Sequence, residues 1–237
     1  MHKNYVLWAL SLCFLIYLSG CREKNEETIP ANFGESYYPL QVGARISYSV
    51  KQQIYEASNP NPNIPRLFTY QLREEVLDKS KGENGEDLFR IVRYTRPTGL
   101  DNWQIDSVWT VKKDNSQIIK TEHNVPYVKM SFPLYEDKSW NGNAFNSRKR
   151  QPYRVVSLGK PFAVNNLNFS RAAVIMHQAD SNILFKDVGY EVFADSIGMI
   201  YKRHEYLKYC DQDPCVGSKE IVSGSIISEI SIFEYKK

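Results

Sequence analysis

The sequence has little excess charge of either sign. Its 237 residues include 30 lysines and arginines against 27 aspartates and glutamates, which gives a formal net charge of +3. Nucleic-acid-binding domains carry a pronounced basic surface, and solvating tails carry a pronounced acidic run. The balance of charge therefore predicts that nucleic acid is not a partner.

Catalytic and metal-binding motifs are also missing. There is no HExxH segment and no Gly-x-Ser-x-Gly segment, which mark zinc hydrolases and serine hydrolases. Beyond the N-terminal leader the histidines are His123, His177 and His204, and core packing or solvent exposure explains each of them. The sequence predicts no catalytic residue, no metal site, no cofactor and no enzymatic activity. The alternative is an enzyme in which His177 meets an acid and a nucleophile.

Long apolar runs are scarce, and the one that occurs lies at the N-terminus. The uncharged run 5–18 follows Lys3 and spans about 14 residues, the length of a signal-peptide core and too short to cross a bilayer. Leu18-Ser19-Gly20-Cys21 follows and resembles the bacterial lipobox. The resemblance implies cleavage before Cys21 and attachment of lipid to its thiol. The alternatives are an ordinary secretory signal and a permanent membrane anchor, although the anchor lacks a basic flank.

This leader sets the predicted organisation of the chain. Residues 1–20 are a lipoprotein signal peptide, 21–33 are the lipidated cysteine with a polar, flexible tether, and 34–237 are a single antiparallel β domain. Each buried methylene of a lipid chain contributes about 0.8 kcal/mol, so several chains hold a protein at a membrane permanently. The predicted location is the cell envelope, at the periplasmic or surface face of the outer membrane, with the membrane as partner through Cys21.

Cysteine is rare in the remainder of the chain, where only Cys210 and Cys215 occur. The four residues between them include Pro214, which is typical of a turn. In an exported protein such a pair predicts a disulfide that stiffens the tip of a hairpin. Half of a metal site is the alternative, but no second cysteine pair and no paired histidine completes one.

What the sequence has in abundance is β-forming residues. Aromatic residues make up 13% of the chain, with 16 tyrosines, and such residues favour strands. In the first strand Ile46, Tyr48 and Val50 alternate with Ser47 and Ser49, the period of a half-buried strand. The predicted strands are 43–50, 68–76, 88–94, 105–111, 118–121, 128–132, 153–158, 172–177, 183–185, 189–194, 199–209 and 221–235.

These short strands, with turns between them, predict an all-β fold. So many strands must close on themselves or stack as two sheets. Short sequential connections favour a curved antiparallel sheet that forms an open or half barrel, with a two-sheet β-sandwich as the alternative. The segment 68–76 also fits a helix because of its charged cluster. A change of face at Ile226-Ile227 predicts a bulge in the last strand.

Three groups of residues together resemble a known set of proteins. They are Tyr37-Tyr38-Pro39-Leu40 with Gly43, Phe132-Pro133-Leu134 with Trp140-Asn141-Gly142, and Glu191-Val192-Phe193-Ala194 with Ile197-Gly198-Met199-Ile200-Tyr201. The set resembles uncharacterised lipoproteins of Bacteroidota-type bacteria. The resemblance implies an envelope location and an all-β fold, and it implies no activity.

The function that these observations favour is binding. A concave apolar face on a curved sheet suits a hydrophobic ligand or a partner protein of the envelope. The alternative is a glycan-binding or structural module of the envelope, in which Trp103 and Trp140 stack against sugars. Core packing is the ordinary use of both tryptophans, and Trp140 is the better candidate for exposure because it adjoins Asn141-Gly142-Asn143.

Overall fold

The computed structural model describes residues 33–59, 61 and 63–237. The predicted signal peptide, the lipidation of Cys21 and the tether as far as residue 32 lie outside the described residues and stay predictions. Within the described part of the chain, no helix has the length and apolar character that crossing a membrane requires.

The fold is all-β, as predicted. A short 3-10 turn, Glu35–Tyr37, precedes twelve strands. They are β1 (Arg45–Ile54), β2 (Arg66–Lys81), β3 (Asp87–Arg96), β4 (Gln104–Lys113), β5 (Gln117–Glu122), β6 (Val125–Ser131), β7 (Ser139–Asn141), β8 (Pro152–Val164), β9 (Leu167–Ser181), β10 (Phe185–Ala194), β11 (Gly198–Lys208) and β12 (Ile226–Lys236).

All twelve strands belong to one antiparallel sheet in the order β6-β5-β4-β3-β2-β1-β12-β11-β10-β9-β8-β7. Neighbours in the sequence are neighbours in the sheet, except that β6 and β7 lie at its two edges and β1 pairs with β12. The two edges meet, because the Val128 N–H in β6 donates to the Gly142 carbonyl just after β7, at 2.9 Å. The result is a nearly closed, barrel-like sheet, which confirms the curved-sheet prediction and excludes the two-sheet sandwich.

Eleven of the twelve predicted strands correspond to observed ones, and the short strand β7 was not predicted because Trp140-Asn141-Gly142-Asn143 is typical of a loop. Residues 183–185 do not form a separate strand, because the Asn182 Oδ1 atom accepts two backbone N–H groups and makes a turn before β10. The predicted strand 153–158 does not end at Leu158, because β8 continues to Val164 through a series of register shifts. The bulge near β12 lies opposite Ser47 and Tyr48 rather than at Ile226-Ile227, and β12 begins at Ile226.

Two clusters of buried apolar residues form the core. The larger draws on β2 to β6 and on β7 to β10. In the sheet, β2 to β6 lie on one side of the central β1–β12 pair and β7 to β10 lie on the other, and we call these two sides the arms of the sheet. Since the cluster contains side chains from both arms, these side chains must face the enclosed space. The smaller cluster joins β1, β2 and β10 to β12 with the β8–β9 hairpin. At the tip of that hairpin Asn165 Nδ2 donates to the Ile232 carbonyl at 2.8 Å.

The segment before β1 covers one end of the barrel. The Phe33 carbonyl accepts the Leu134 N–H at 2.8 Å, and the Ser36 carbonyl accepts the Ser196 N–H at 2.7 Å. Tyr37 between them is buried. These bonds connect the β6–β7 loop to the β10–β11 turn, so the segment holds together two parts of the rim.

Candidate ligand cavity

A cavity of about 140 Å³ lies inside the sheet, beneath the covering segment. Its walls come from residues 38–41, from β1 to β6 and from β10 to β12. The walls are largely apolar, and their side chains include Tyr38, Leu40, Ile46, Leu72, Phe193 and Met199. These residues face inward because they occupy alternate positions of their strands or belong to the covering segment.

Charged side chains also line the cavity, and they pair in sequence along a path across the barrel. Arg93 Nε lies 3.3 Å from Glu74 Oε1, and Lys120 Nζ lies 2.9 Å from Glu74 Oε2. Lys120 Nζ also lies 4.0 Å from Glu122 Oε1. These residues belong to β2, β3 and β5, and Glu74 sits between the inward-facing Leu72 and Val76.

The path continues across the gap between the two arms. Lys129 Nζ lies 3.6 Å from Glu122 Oε1 and 2.7 Å from Glu191 Oε1. Lys202 Nζ lies 3.0 Å from the same Glu191 oxygen. We call the seven residues Arg93, Glu74, Lys120, Glu122, Lys129, Glu191 and Lys202 the ion-pair chain. Positive and negative charges alternate along its whole length, and it connects β6 with β10, which are not paired in the sheet.

Within the ion-pair chain, the pKa values of Glu122, Lys129 and Glu191 are shifted, and each shift favours the charged form of the residue. Burial alone would raise the pKa of Glu191, but Lys129 and Lys202 outweigh it and hold the pKa well below the usual value. Burial likewise opposes the charge on Lys129, whose pKa Glu122 and Glu191 nevertheless raise. Lys129, Lys202 and Lys120 together lower the pKa of Glu122 to about 2 against burial. These groups are therefore ionised at neutral pH.

Trp109 in β4 lies among the cations of the chain. The Arg93 guanidinium carbon is 3.8 Å from its ring centroid and the Lys120 ammonium is 4.6 Å from it. Both distances are within the range of a cation–π contact. The side chain is 8% exposed, and its Nε1–H has no hydrogen-bond partner among the described residues.

Two further buried atoms of the cavity lining lack a hydrogen bond from the described residues. They are Arg93 Nε, whose N–H does not align with Glu74, and Glu191 Oε2. Buried polar groups are nearly always paired with protein or water. The cavity thus presents two donors and one acceptor that a bound molecule or water would satisfy.

His177 is not part of the cavity lining. Its ring lies 5.4 Å from that of Tyr153 and 6.4 Å from that of His204, measured between centroids. Burial lowers the pKa of His177 to about 3, so the imidazole is neutral at physiological pH. His204 Nε2 in turn lies 2.7 Å from Asp187 Oδ1. The structure therefore gives His177 polar aromatic neighbours rather than an apolar surround.

The two tryptophans predicted to contact glycan are placed differently. Trp103 is half-buried, with the Arg73 and Arg96 guanidinium carbons 4.2 Å and 4.3 Å from its ring centroid. Trp140 is only 9% exposed, and its Nε1–H donates to the Val128 carbonyl at 2.8 Å. The expected exposure of Trp140 is therefore wrong, because its ring seals the seam between β6 and β7. Glycan contact at either residue stays a prediction.

The predicted disulfide is present. Cys210 and Cys215 are joined, with Cα atoms 5.8 Å apart, in the connection between β11 and β12. An isolated bridge between Tyr209 and Ile221 closes the base of this loop. The crosslink therefore stiffens a loop at one end of the barrel. Among residues 33–59, 61 and 63–237, no cluster of three or more His, Cys, Asp or Glu side chains is arranged to hold a metal.

The ion-pair chain was missed by the sequence analysis. Lys129 alternates with Val128 and Met130, which predicts an outward-facing lysine. A register shift between β5 and β6 at Ile118/Ile119 breaks that alternation, and Lys129 turns toward Glu191. The one signal in the sequence was Glu191 within the apolar strand Tyr190–Ala194, since an isolated charge among such residues needs a partner.

The comparisons with known proteins leave the family open. No protein-family model and no curated protein matches the sequence. The crystal structure of a candidate lipoprotein from Parabacteroides distasonis is similar over 84% of this chain and 98% of that chain, with 9% identity and a TM-score of 0.43. A similarity of this size carries no argument about family or function.

Proposed function

We propose that this protein is a non-enzymatic, lipid-anchored protein of the cell envelope whose β domain binds a small amphipathic ligand. The observation that supports binding most directly is the cavity, which combines apolar walls with the charged side chains of the ion-pair chain inside a nearly closed sheet. Small-molecule sites in proteins are typically concave, mostly apolar and furnished with a few fixed polar groups. The proposal refines the expected hydrophobic ligand into one that also has a polar end.

The lipid anchor is proposed from the N-terminal sequence. A short apolar run ending in Leu18-Ser19-Gly20-Cys21 supports attachment at Cys21 and a location at the outer membrane. The experiment is incorporation of labelled palmitate into the full chain and into its Cys21→Ser variant. We expect label in the unchanged protein and none in the variant. Equal labelling of both would refute the anchor.

The ligand site is tested by filling the cavity. Ile46 lines the cavity, so Ile46→Trp should occupy the space that a ligand needs. Val108 in β4 is exposed, and Val108→Trp places the same new side chain outside the barrel. The full chain is purified from membranes, its bound small molecules are extracted with solvent, and they are identified by mass spectrometry.

We expect the unchanged chain and Val108→Trp to release the same small molecule at a near-stoichiometric amount. The Ile46→Trp variant should release little of it while unfolding cooperatively. Equal amounts of every released compound from all three proteins would show that the cavity is not the site. An unchanged chain that carries nothing, and that binds no added amphiphile, would refute the binding role.

A further inference from the structure

We propose that the cavity takes a small amphipathic carboxylate, with the carboxylate against Trp109 and Arg93 and the apolar part against the walls. This inference rests on the proposed binding function and specifies its ligand class. Three observations support it: the charge of the lining, the unpartnered donors, and the size of the cavity.

The lining carries an excess of positive charge. Six cationic side chains face three anionic ones in the lining, and Asp106 outside it pairs with Arg93 at 3.2 Å, which leaves a net charge of +2. The cations are Arg93, Lys120, Lys129, Lys202, Lys236 and Lys237, and the anions are Glu74, Glu122 and Glu191. A concave site with an excess of one sign of charge concentrates ligands of the opposite sign. The expected ligand is therefore an anion.

The donors that lack partners fit a carboxylate. Trp109 Nε1–H and Arg93 Nε–H have no hydrogen-bond acceptor among the described residues, and the Arg93 guanidinium lies 3.8 Å from the Trp109 ring centroid. The Arg93 guanidinium shares its charge with Glu74 at 3.3 Å and Asp106 at 3.2 Å. The Trp109 N–H beside it is a free donor that suits one oxygen of a carboxylate. A phosphate would bring further oxygens that need partners, since Lys120 is already held by Glu74 at 2.9 Å.

A cationic ligand fits less well. The only unpartnered acceptor is that of Glu191 among the described cavity-lining residues. Lys129 and Lys202 already bind the other oxygen of this carboxylate at 2.7 Å and 3.0 Å. A third cation would lie beside both ammonium groups, where repulsion between like charges opposes its binding.

The size of the cavity sets the scale of the ligand. A volume of about 140 Å³ is close to that of an engineered apolar cavity, about 150 Å³, that accepts benzene. The apolar walls at Tyr38, Leu40 and Met199 are suited to such a ring or to a short alkyl chain. Benzoate is therefore a suitable probe of the site.

The test compares four probes that share a ring and differ in charge: benzoate, benzamide, benzylammonium and phenyl phosphate. Each is titrated calorimetrically into the full chain held in phosphatidylcholine nanodiscs, with empty nanodiscs as the blank. We expect benzoate to bind at least about tenfold more tightly than the other three, since hydrogen bonds to a charged group are among the strong ones. Equal or stronger binding of benzamide, benzylammonium or phenyl phosphate would overturn the proposal.

A matched pair of variants locates the carboxylate. Trp109→Phe keeps an aromatic ring but removes the free N–H, and should weaken benzoate binding roughly tenfold. Trp140→Phe removes an N–H that is bonded to Val128 outside the cavity, and should leave the affinity unchanged. In the unchanged protein the indole N–H resonance that Trp109→Phe abolishes should shift downfield with benzoate. A resonance that does not move would place the carboxylate elsewhere and refute the proposal.

The outcomes separate this inference from the proposed function. If benzamide or benzylammonium binds as tightly as benzoate and Ile46→Trp abolishes binding, the cavity is a ligand site and the carboxylate inference is wrong. If none of the four probes binds and solvent extracts contain no small molecule, both proposals fail.

Discussion

Replacing Lys129 by methionine tests whether the ion-pair chain is a buried network or a set of surface pairs. Lys129 Nζ lies 2.7 Å from Glu191 Oε1, and the two side chains are only 6% and 2% exposed. The substitution keeps the length and the apolar stem of the side chain but removes its charge. Glu191 then retains Lys202 alone, and Glu122 retains only Lys120, at 4.0 Å.

The expected cost follows from burial. Removing one partner of a buried pair costs about 3–5 kcal/mol, because the other charge stays buried without compensation. Since Glu191 keeps Lys202, we expect a loss near the lower limit, about 3 kcal/mol. Lys79→Met is the control: Lys79 Nζ lies 2.8 Å from Asp87 Oδ2, but its side chain is 45% exposed. An exposed pair contributes about 0–1 kcal/mol.

Urea unfolding measures both variants. With a slope of about 2 kcal/mol per molar urea, a loss of 3 kcal/mol lowers the midpoint by about 1.5 M, while the control shifts by less than about 0.5 M. The double variant Lys129→Met/Glu191→Leu removes both charges and should recover part of the loss, which measures their coupling. If Lys129→Met shifted the midpoint no more than Lys79→Met, the buried-network argument would be wrong.

Three further outcomes are expected, each measured by the free energy of unfolding in urea. The pKa of His177 is about 3 in the folded chain and about 6.5 unfolded, so the unfolded state binds more protons and stability should fall by about 2 kcal/mol from pH 7 to pH 5. His177→Gln should flatten this dependence and His123→Asn, at an exposed turn, should not; an unchanged slope in the first variant would contradict the assignment. A Cβ at Gly189 would lie 2.6 Å from His177 Cε1, so Gly189→Ala should cost about 1–3 kcal/mol through overpacking, and a cost near zero would mean that the ring moves freely. The Cys210–Cys215 crosslink spans five residues, so replacing both cysteines by serine should cost roughly 2 kcal/mol through unfolded-chain entropy, and no change would show that the loop is equally restricted without it.

The positions of the strands were predictable because they depend on alternation among a few neighbouring residues. In β1, Tyr48 and Val50 are buried while Ser49 and Lys51 are less so, and this period of two needs no knowledge of the remaining chain. The same local signal predicted a strand at 68–76 despite its charged cluster, since Phe68, Tyr70 and Leu72 alternate with polar residues. Alternation of this kind fixes the fold class and the approximate strand positions.

Closure of the barrel was not predictable in the same detail. Trp140 adjoins Asn141 and Gly142, which is typical of an exposed loop. Its actual position depends on the Val128 carbonyl, twelve residues earlier in β6, and on a hydrogen bond from Val128 to Gly142. Contacts between the two edges of a curved sheet depend on its curvature, which alternation does not encode.

The ion-pair chain was not predicted from the sequence for a related reason. Alternation assigns a side chain to one face only while the strand has no bulge, because a shift of one residue reverses the faces. The register shift opposite Ile118 and Ile119 changes the side on which Lys129 lies. The partner that holds it, Glu191, is 62 residues away in the sequence, so neither charge could be paired from local pattern alone.

The position of the ion-pair chain also explains how a cavity persists in a well-packed barrel. Apolar side chains facing one another across such an interior pack to high density, and buried ion pairs are no more stabilising than apolar residues of the same volume. Lys129 and Glu191 span the two arms where β6 and β10 have no ladder, so their separation fixes the distance between the walls. Arg93 and Lys120 lie against the Trp109 ring, at 3.8 Å and 4.6 Å from its centroid, and their ion pairs with Glu74 hold them there. The paired charges thus hold the two walls apart, and the volume between them is the site at which we propose that a carboxylate binds.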